Sequence, residues 1–185
     1  MTRSASWIFL SVVFAVPGLS QSVDLDRGRV EINGFIGTTV DTSSVFGTSA
    51  KVGGGVEAAF GVNRHVAITG DYSFNRIGQT GFLCFGPCMP LPDETIHEFM
   101  GGVRFSLPNS SRFTPYATGT VGGLRLGNFG LSSAGSSTEF ALGMGLGLDV
   151  RITRRTGILV DLRGVDAVSP GIWFVQPSAG FFFRF

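Results

Sequence analysis

The chain has 185 residues, 43% of them apolar and only 15% charged, with a formal net charge of +1 and a mean hydropathy of +0.31. Scattered basic residues and near-neutral charge exclude an electrostatic footprint for nucleic acid, and the length suits one domain. Beyond the amino-terminal stretch there is no run of about 18 apolar residues, which excludes a spanning helix and leaves a soluble all-β domain or a membrane β-barrel.

Residues 1–22 have the layout of a secretory signal peptide: Arg3, an apolar core from Trp7 to Val16, the breaker Pro17-Gly18, and small residues at Ser20 and Ser22. The core is too short for an anchor helix, so cleavage after Ser20 or Ser22 is expected, leaving residues 23–185 as one barrel domain. The mature chain then begins on a polar lead, Asp24-Leu25-Asp26-Arg27-Gly28-Arg29. Export also places the two cysteines in an oxidising compartment.

Eight alternating segments follow, at about residues 30–40, 51–61, 65–75, 96–105, 113–126, 139–150, 157–165 and 173–185. In the first, Val30, Ile32, Ile36 and Val40 share a face and Glu31, Asn33, Gly37 and Thr39 take the other, with Phe35 out of pattern. The sixth is the cleanest: Phe140, Leu142, Met144, Leu146 and Leu148 oppose Ala141, Gly143, Gly145, Gly147 and Asp149. In the last, Phe181, Phe183 and Phe185 lie opposite Phe182 and Arg184. A period of two is the signature of a strand, and glycine at this density penalises helix by about 1 kcal/mol per residue relative to alanine. Each segment has about the 9–11 residues a tilted strand needs to cross a bilayer.

The links alternate in length. Those after segments 2, 4 and 6 are short and those after 1, 3 and 5 are longer, and an even strand count places both termini on the side of the tight turns. Face composition separates the membrane barrel from a soluble one. The polar faces consist mostly of Gly, Ala, Ser and Thr, which suits a crowded lumen better than a water-facing surface. The charges they carry have both signs: Glu31, Glu57, Asp71, Glu98, Asp149 and Asp161 against Lys51, Arg104, Arg163 and Arg184. A paired luminal network is expected, because burying any one of them alone is costly. Aromatics fall near both strand ends, Phe60, Phe105, Phe113 and Phe185 beside the short turns and Tyr72, Phe74, Trp173 and Phe174 near the longer links, as two interface belts would require.

The mature chain resembles the bacterial eight-stranded outer-membrane barrels of the OmpA/OmpX type, a porin-like family. The likeness rests on Val30-Glu31-Ile32-Asn33-Gly34-Phe35-Ile36-Gly37, the Asn63-Arg64-His65-Val66-Ala67 turn, the run Gly145 to Arg151 before Thr153-Arg154-Arg155, and Phe183-Arg184-Phe185. It implies an all-β, antiparallel, up-and-down transmembrane barrel surrounded by outer-membrane lipid. It also implies that Phe181, Phe183 and Phe185 form the signal read by the outer-membrane assembly machinery. No peptidoglycan-binding domain is expected after the barrel.

Chemistry-bearing residues are few. Cys84 and Cys88 lie in the longest link, where an oxidised location favours a disulfide between them. Zinc is not expected, since His97 is the one nearby additional ligand. His97 and Glu98 are strand neighbours that point to opposite faces, so they do not converge as a catalytic pair. No cofactor is implied. The expected role is that of a non-enzymatic outer-membrane barrel, structural, surface-interacting or forming a small pore. The rival readings are a membrane-embedded barrel enzyme acting on lipid or peptide and a secreted, lipocalin-like ligand-binding barrel.

Overall fold

A computed structural model describes residues 27–41, 48–79, 82–84, 88–90, 94–127, 137–168 and 172–185. The strands are β1 (Val30–Asp41), β2 (Thr48–Gly61), β3 (Val66–Gln79), β4 (Phe82–Cys84), β5 (Cys88–Pro90), β6 (Glu94–Ser106), β7 (Phe113–Gly127), β8 (Ser137–Arg151), β9 (Thr156–Ala167) and β10 (Ile172–Arg184). Eight of them form a closed antiparallel barrel in the order β1-β10-β9-β8-β7-β6-β3-β2, and β4 and β5 form a separate two-stranded sheet. Closure pairs the first strand with the last, Ile32 opposite Phe183 and Gly34 opposite Phe181, so no edge is left open. The expected leader, residues 1–22, lies outside the described residues.

Short polar side chains fix the tight turns. Asn63 Oδ1 accepts the backbone N–H of His65 at 2.8 Å and of Val66 at 2.9 Å, closing β2 onto β3. Asn109 Oδ1 accepts from Ser111 N at 2.8 Å between β6 and β7. Thr153 Oγ1 accepts from Arg155 N at 3.2 Å and Thr156 N at 3.0 Å between β8 and β9. Each is a side chain imitating a backbone turn, which lets a strand reverse within a few residues.

Strands run past their apolar stretches at the other end. β2 starts at Thr48 rather than near Lys51, and β3 continues to Gln79 rather than stopping near Asn75. Ladder hydrogen bonds need only a neighbouring backbone, so pairing outlasts the membrane-facing pattern. The β4–β5 hairpin inside the longest link is a further element that the alternating segments did not announce; its backbone sets Cys84 opposite Cys88.

The faces are inverted relative to a soluble protein. Ile36, Val52, Met144, Leu146 and Phe181 are among the many large apolar side chains left exposed, whereas Glu31, Glu98, Arg104 and Asp149 are buried. This excludes the lipocalin-like reading, in which the apolar face would point inward. Two aromatic residues depart from the sequence expectation. Phe174, assigned to the outer belt, turns into the lumen and is 1% exposed. Phe35, out of pattern in the sequence, also lies inside, against Gly55: a Cβ on Gly55 would stand 2.6 Å from its Cζ. Glycine at that position makes room for the ring.

Candidate functional site: the filled lumen

The lumen is built in layers from inward-facing residues of all eight barrel strands. Nearest the short turns, Arg104 of β6 donates to Glu31 of β1 at 2.9 Å and to Asp149 of β8. Arg184 of β10 reaches the same two carboxylates, bonding Glu31 and lying 3.0 Å from Asp149. The two guanidiniums and two carboxylates therefore form a closed square across the barrel. Aromatic faces cover it: the Arg104 guanidinium sits 3.7 Å from the Tyr116 ring centroid, and that of Arg184 4.5 Å from the Phe182 ring. Such stacking suits the weakly hydrated, planar guanidinium in a way an ammonium would not match.

The middle layer is centred on Arg163 of β9. It donates to Asp71 at 2.8 Å and to Glu57 at 3.3 Å, and lies 3.9 Å from Asp161. Glu57 also accepts from Asn33 Nδ2 at 2.9 Å and lies 3.6 Å from Arg104, linking the two layers. Above them Glu98 accepts from Gln176, and Asn75 donates to Ser73 at 3.0 Å. At the loop end an apolar cluster of Ile96, Met100, Leu124, Leu126, Ala141, Val165 and Phe174 closes the stack.

The structure thus brings together nine of the ten charges expected in the lumen. Lys51 lies on β2, but its side chain is outside the described residues. Asn33, Tyr116, Gln176 and Phe182 join the network without having been singled out. Their parity was the available signal, since Asn33 is in step with Glu31, and Gln176 and Phe182 with Arg184. A small cavity of about 20 Å³ at the network is bordered by Asn33, Phe35, Glu57 and Arg163 among others. That is room for about one water.

The histidines sit elsewhere. His97 faces outward, its Nδ1 3.0 Å from the Tyr72 hydroxyl and its ring 5.0 Å from that of Phe74. His65, in the β2–β3 turn, has Nε2 2.9 Å from Arg64 Nε and Nδ1 3.4 Å from the Ser106 carbonyl oxygen. Phe181, Phe183 and Phe185 all point outward, the last two with ring centroids 4.8 Å apart. The cysteine side chains lie outside the described residues.

A closed eight-stranded barrel with an apolar exterior and a polar, plugged interior defines a transmembrane β-barrel. The model of the outer membrane protein beta-barrel domain family matches residues 8–185, and the chain belongs to that family. Its fold is similar to that of Neisserial surface protein A, at 15% identity over 85% of this chain and 96% of the other, with a TM-score of 0.65. The outer membrane protein OprG of Pseudomonas aeruginosa matches at 11% identity over 89% and 99% of the two chains, also with a TM-score of 0.65. Ail, the attachment invasion locus protein of Yersinia pestis, solved with the heparin analogue sucrose octasulfate, matches at 13% identity over 86% and 99%, with a TM-score of 0.51. A comparison with curated proteins finds no match. The protein resides in the bacterial outer membrane.

Proposed function

We propose that this protein is a non-enzymatic, non-conducting barrel whose task is to hold its loop-end connections at the cell surface on a rigid support. The observation that carries the reading is the lumen: three arginines, six carboxylates and an apolar plug occupy the space a solute would need. Outer-membrane barrels place their short turns in the periplasm and their longer loops outside, so the β1–β2, β3–β6, β7–β8 and β9–β10 connections face the exterior.

Composition narrows what those connections meet. The charged residues in those connections and on the adjoining strand ends are Asp41, Asp93, Glu94, Glu139 and Asp166 against Lys51, Arg76 and Arg125. An acidic majority favours a neutral or basic partner over a sulfated polyanion such as the one bound to Ail. Outer-membrane lipid surrounds the apolar belt, and the assembly machinery reads the outward aromatic row Phe181, Phe183 and Phe185. Planar-bilayer recording tests the central claim. Purified barrel is expected to give no stepwise conductance, and reproducible ion-selective channels would refute it.

A further inference from the structure

The periplasmic rim carries a charge pattern that the lumen and the loops do not use. Arg27, Arg29, Arg64, Arg112, Arg151, Arg154 and Arg155, seven of the 14 basic residues in the chain, lie at the short-turn end. The turn residues 62–65, 107–112 and 151–155 contain no Asp or Glu, while Asp24 and Asp26 precede Arg27 and Arg29 in sequence. Two clefts join Arg29, Arg112, Arg151, Arg154 and Arg155 in one arc, with Arg64 apart from it in the β2–β3 turn. One is lined by Arg29, Arg154, Arg155, Arg184 and Phe185, the other by Arg112, Arg151, Ile152, Thr153 and Arg154. Arg154 belongs to both, and the arc spans the β1, β10, β9, β8 and β7 side of the barrel. Arg64, Arg112, Arg154 and Arg155 are solvent-exposed.

We infer that this arc is a binding surface for the phosphate groups of acidic phospholipids in the periplasmic leaflet. Height along the barrel points to lipid rather than to a soluble polyanion. In the same turns Val62 is 40% exposed, Leu107 66% and Ile152 59%, and the outward rings of Phe60, Phe105, Phe113 and Phe185 lie at the adjoining strand ends. An aromatic girdle marks where hydrocarbon gives way to headgroups. The guanidiniums immediately beyond it therefore stand in the headgroup plane, where their planar forks match phosphate oxygens in pairs. The apolar side chains among them would be out of place on a surface made for a cell-wall polymer in open water.

The test uses the full chain reconstituted in phosphatidylcholine bilayers with trace spin-labelled phosphatidylglycerol or spin-labelled phosphatidylcholine. The fraction of motionally restricted label gives the relative association of each lipid with the barrel. A preference of roughly fivefold for phosphatidylglycerol is expected, on the scale of one well-placed basic residue at a membrane surface, and it should fall as salt is raised. Replacing Arg112, Arg154 and Arg155 together by Gln should bring the preference close to unity. Lysine at the same three positions should retain part of it, and Arg76→Gln with Arg125→Gln at the opposite rim should leave it unchanged. The salt titration needs no variant, so a folding defect in the triple substitution does not remove the test. Equal association of the two lipids with the wild-type barrel overturns the inference. So does a preference abolished by the loop-end pair instead of the turn-end triple. Salt-sensitive capture on purified peptidoglycan sacculi without lipid preference also overturns it, and assigns the arc to the cell wall.

Discussion

Removing the Arg104 side chain breaks the lower luminal square at a fully buried corner. In Arg104→Ala, Glu31 and Asp149 lose one of their two guanidiniums and Glu57 loses a cation at 3.6 Å. Breaking a buried pair costs about 3–5 kcal/mol, because the surviving charge is left without compensation. Arg184 still reaches both carboxylates, which argues for the lower end. The lost cation–π contact with Tyr116 adds up to about 2 kcal/mol. A net loss of about 3–5 kcal/mol is therefore expected, some hundredfold or more in the folding equilibrium. Urea unfolding in lipid vesicles, followed by Trp173 fluorescence together with heat-shift electrophoresis, measures it. Replacing Arg104 and Arg184 by Met together with Glu31→Gln and Asp149→Asn removes all four charges of the square as a group and should recover most of the loss, since an ionic cluster replaced by neutral groups of similar size is often tolerated. A loss below about 1 kcal/mol in Arg104→Ala would refute the idea that the square depends on mutual neutralisation.

Other expectations concern the surface. Met144, midway along β8 and exposed to lipid, should cost about 2–4 kcal/mol when replaced by Arg, whereas the same change at a turn-end residue such as Leu107 should cost about 1 kcal/mol or less. Cys84 and Cys88 sit opposite each other in the β4–β5 ladder, at a separation an antiparallel pair makes compatible with a disulfide. Thiol labelling of the exported protein should modify neither cysteine until a reductant is added; labelling without reductant would sink the pairing. Phe185→Ala should slow insertion by the assembly machinery more than Phe182→Leu does, as read by the appearance of the heat-shifted band. Equal rates would remove Phe185 from the recognised row.

Strand faces were legible because a period of two survives any amount of glycine, and the belt needs apolar residues at every second position. Phe174 and Phe35 were misplaced or left unassigned by hydrophobicity alone. A plugged barrel also buries aromatic rings inside, and only a facing glycine such as Gly55 reveals where. The membership of the luminal network was readable from parity, but its pairings were not. Arg104 meets Glu31 across 73 positions and Arg184 meets it across 153, a match set by strand tilt and stagger rather than by anything local. The loop-end strand extensions escaped notice for a related reason, since a backbone ladder leaves no hydrophobic imprint in polar sequence.

The square at the turn end also joins folding to closure. Glu31 arrives on β1 and Arg184 on β10, so the strand that completes the cylinder brings with it the second cation for Glu31 and Asp149. A sheet without β10 would have an open seam and would lack a cation at the same place. The β1–β10 seam is thus held by charge as well as by ladder hydrogen bonds, which couples closure of the ring to neutralisation of its interior.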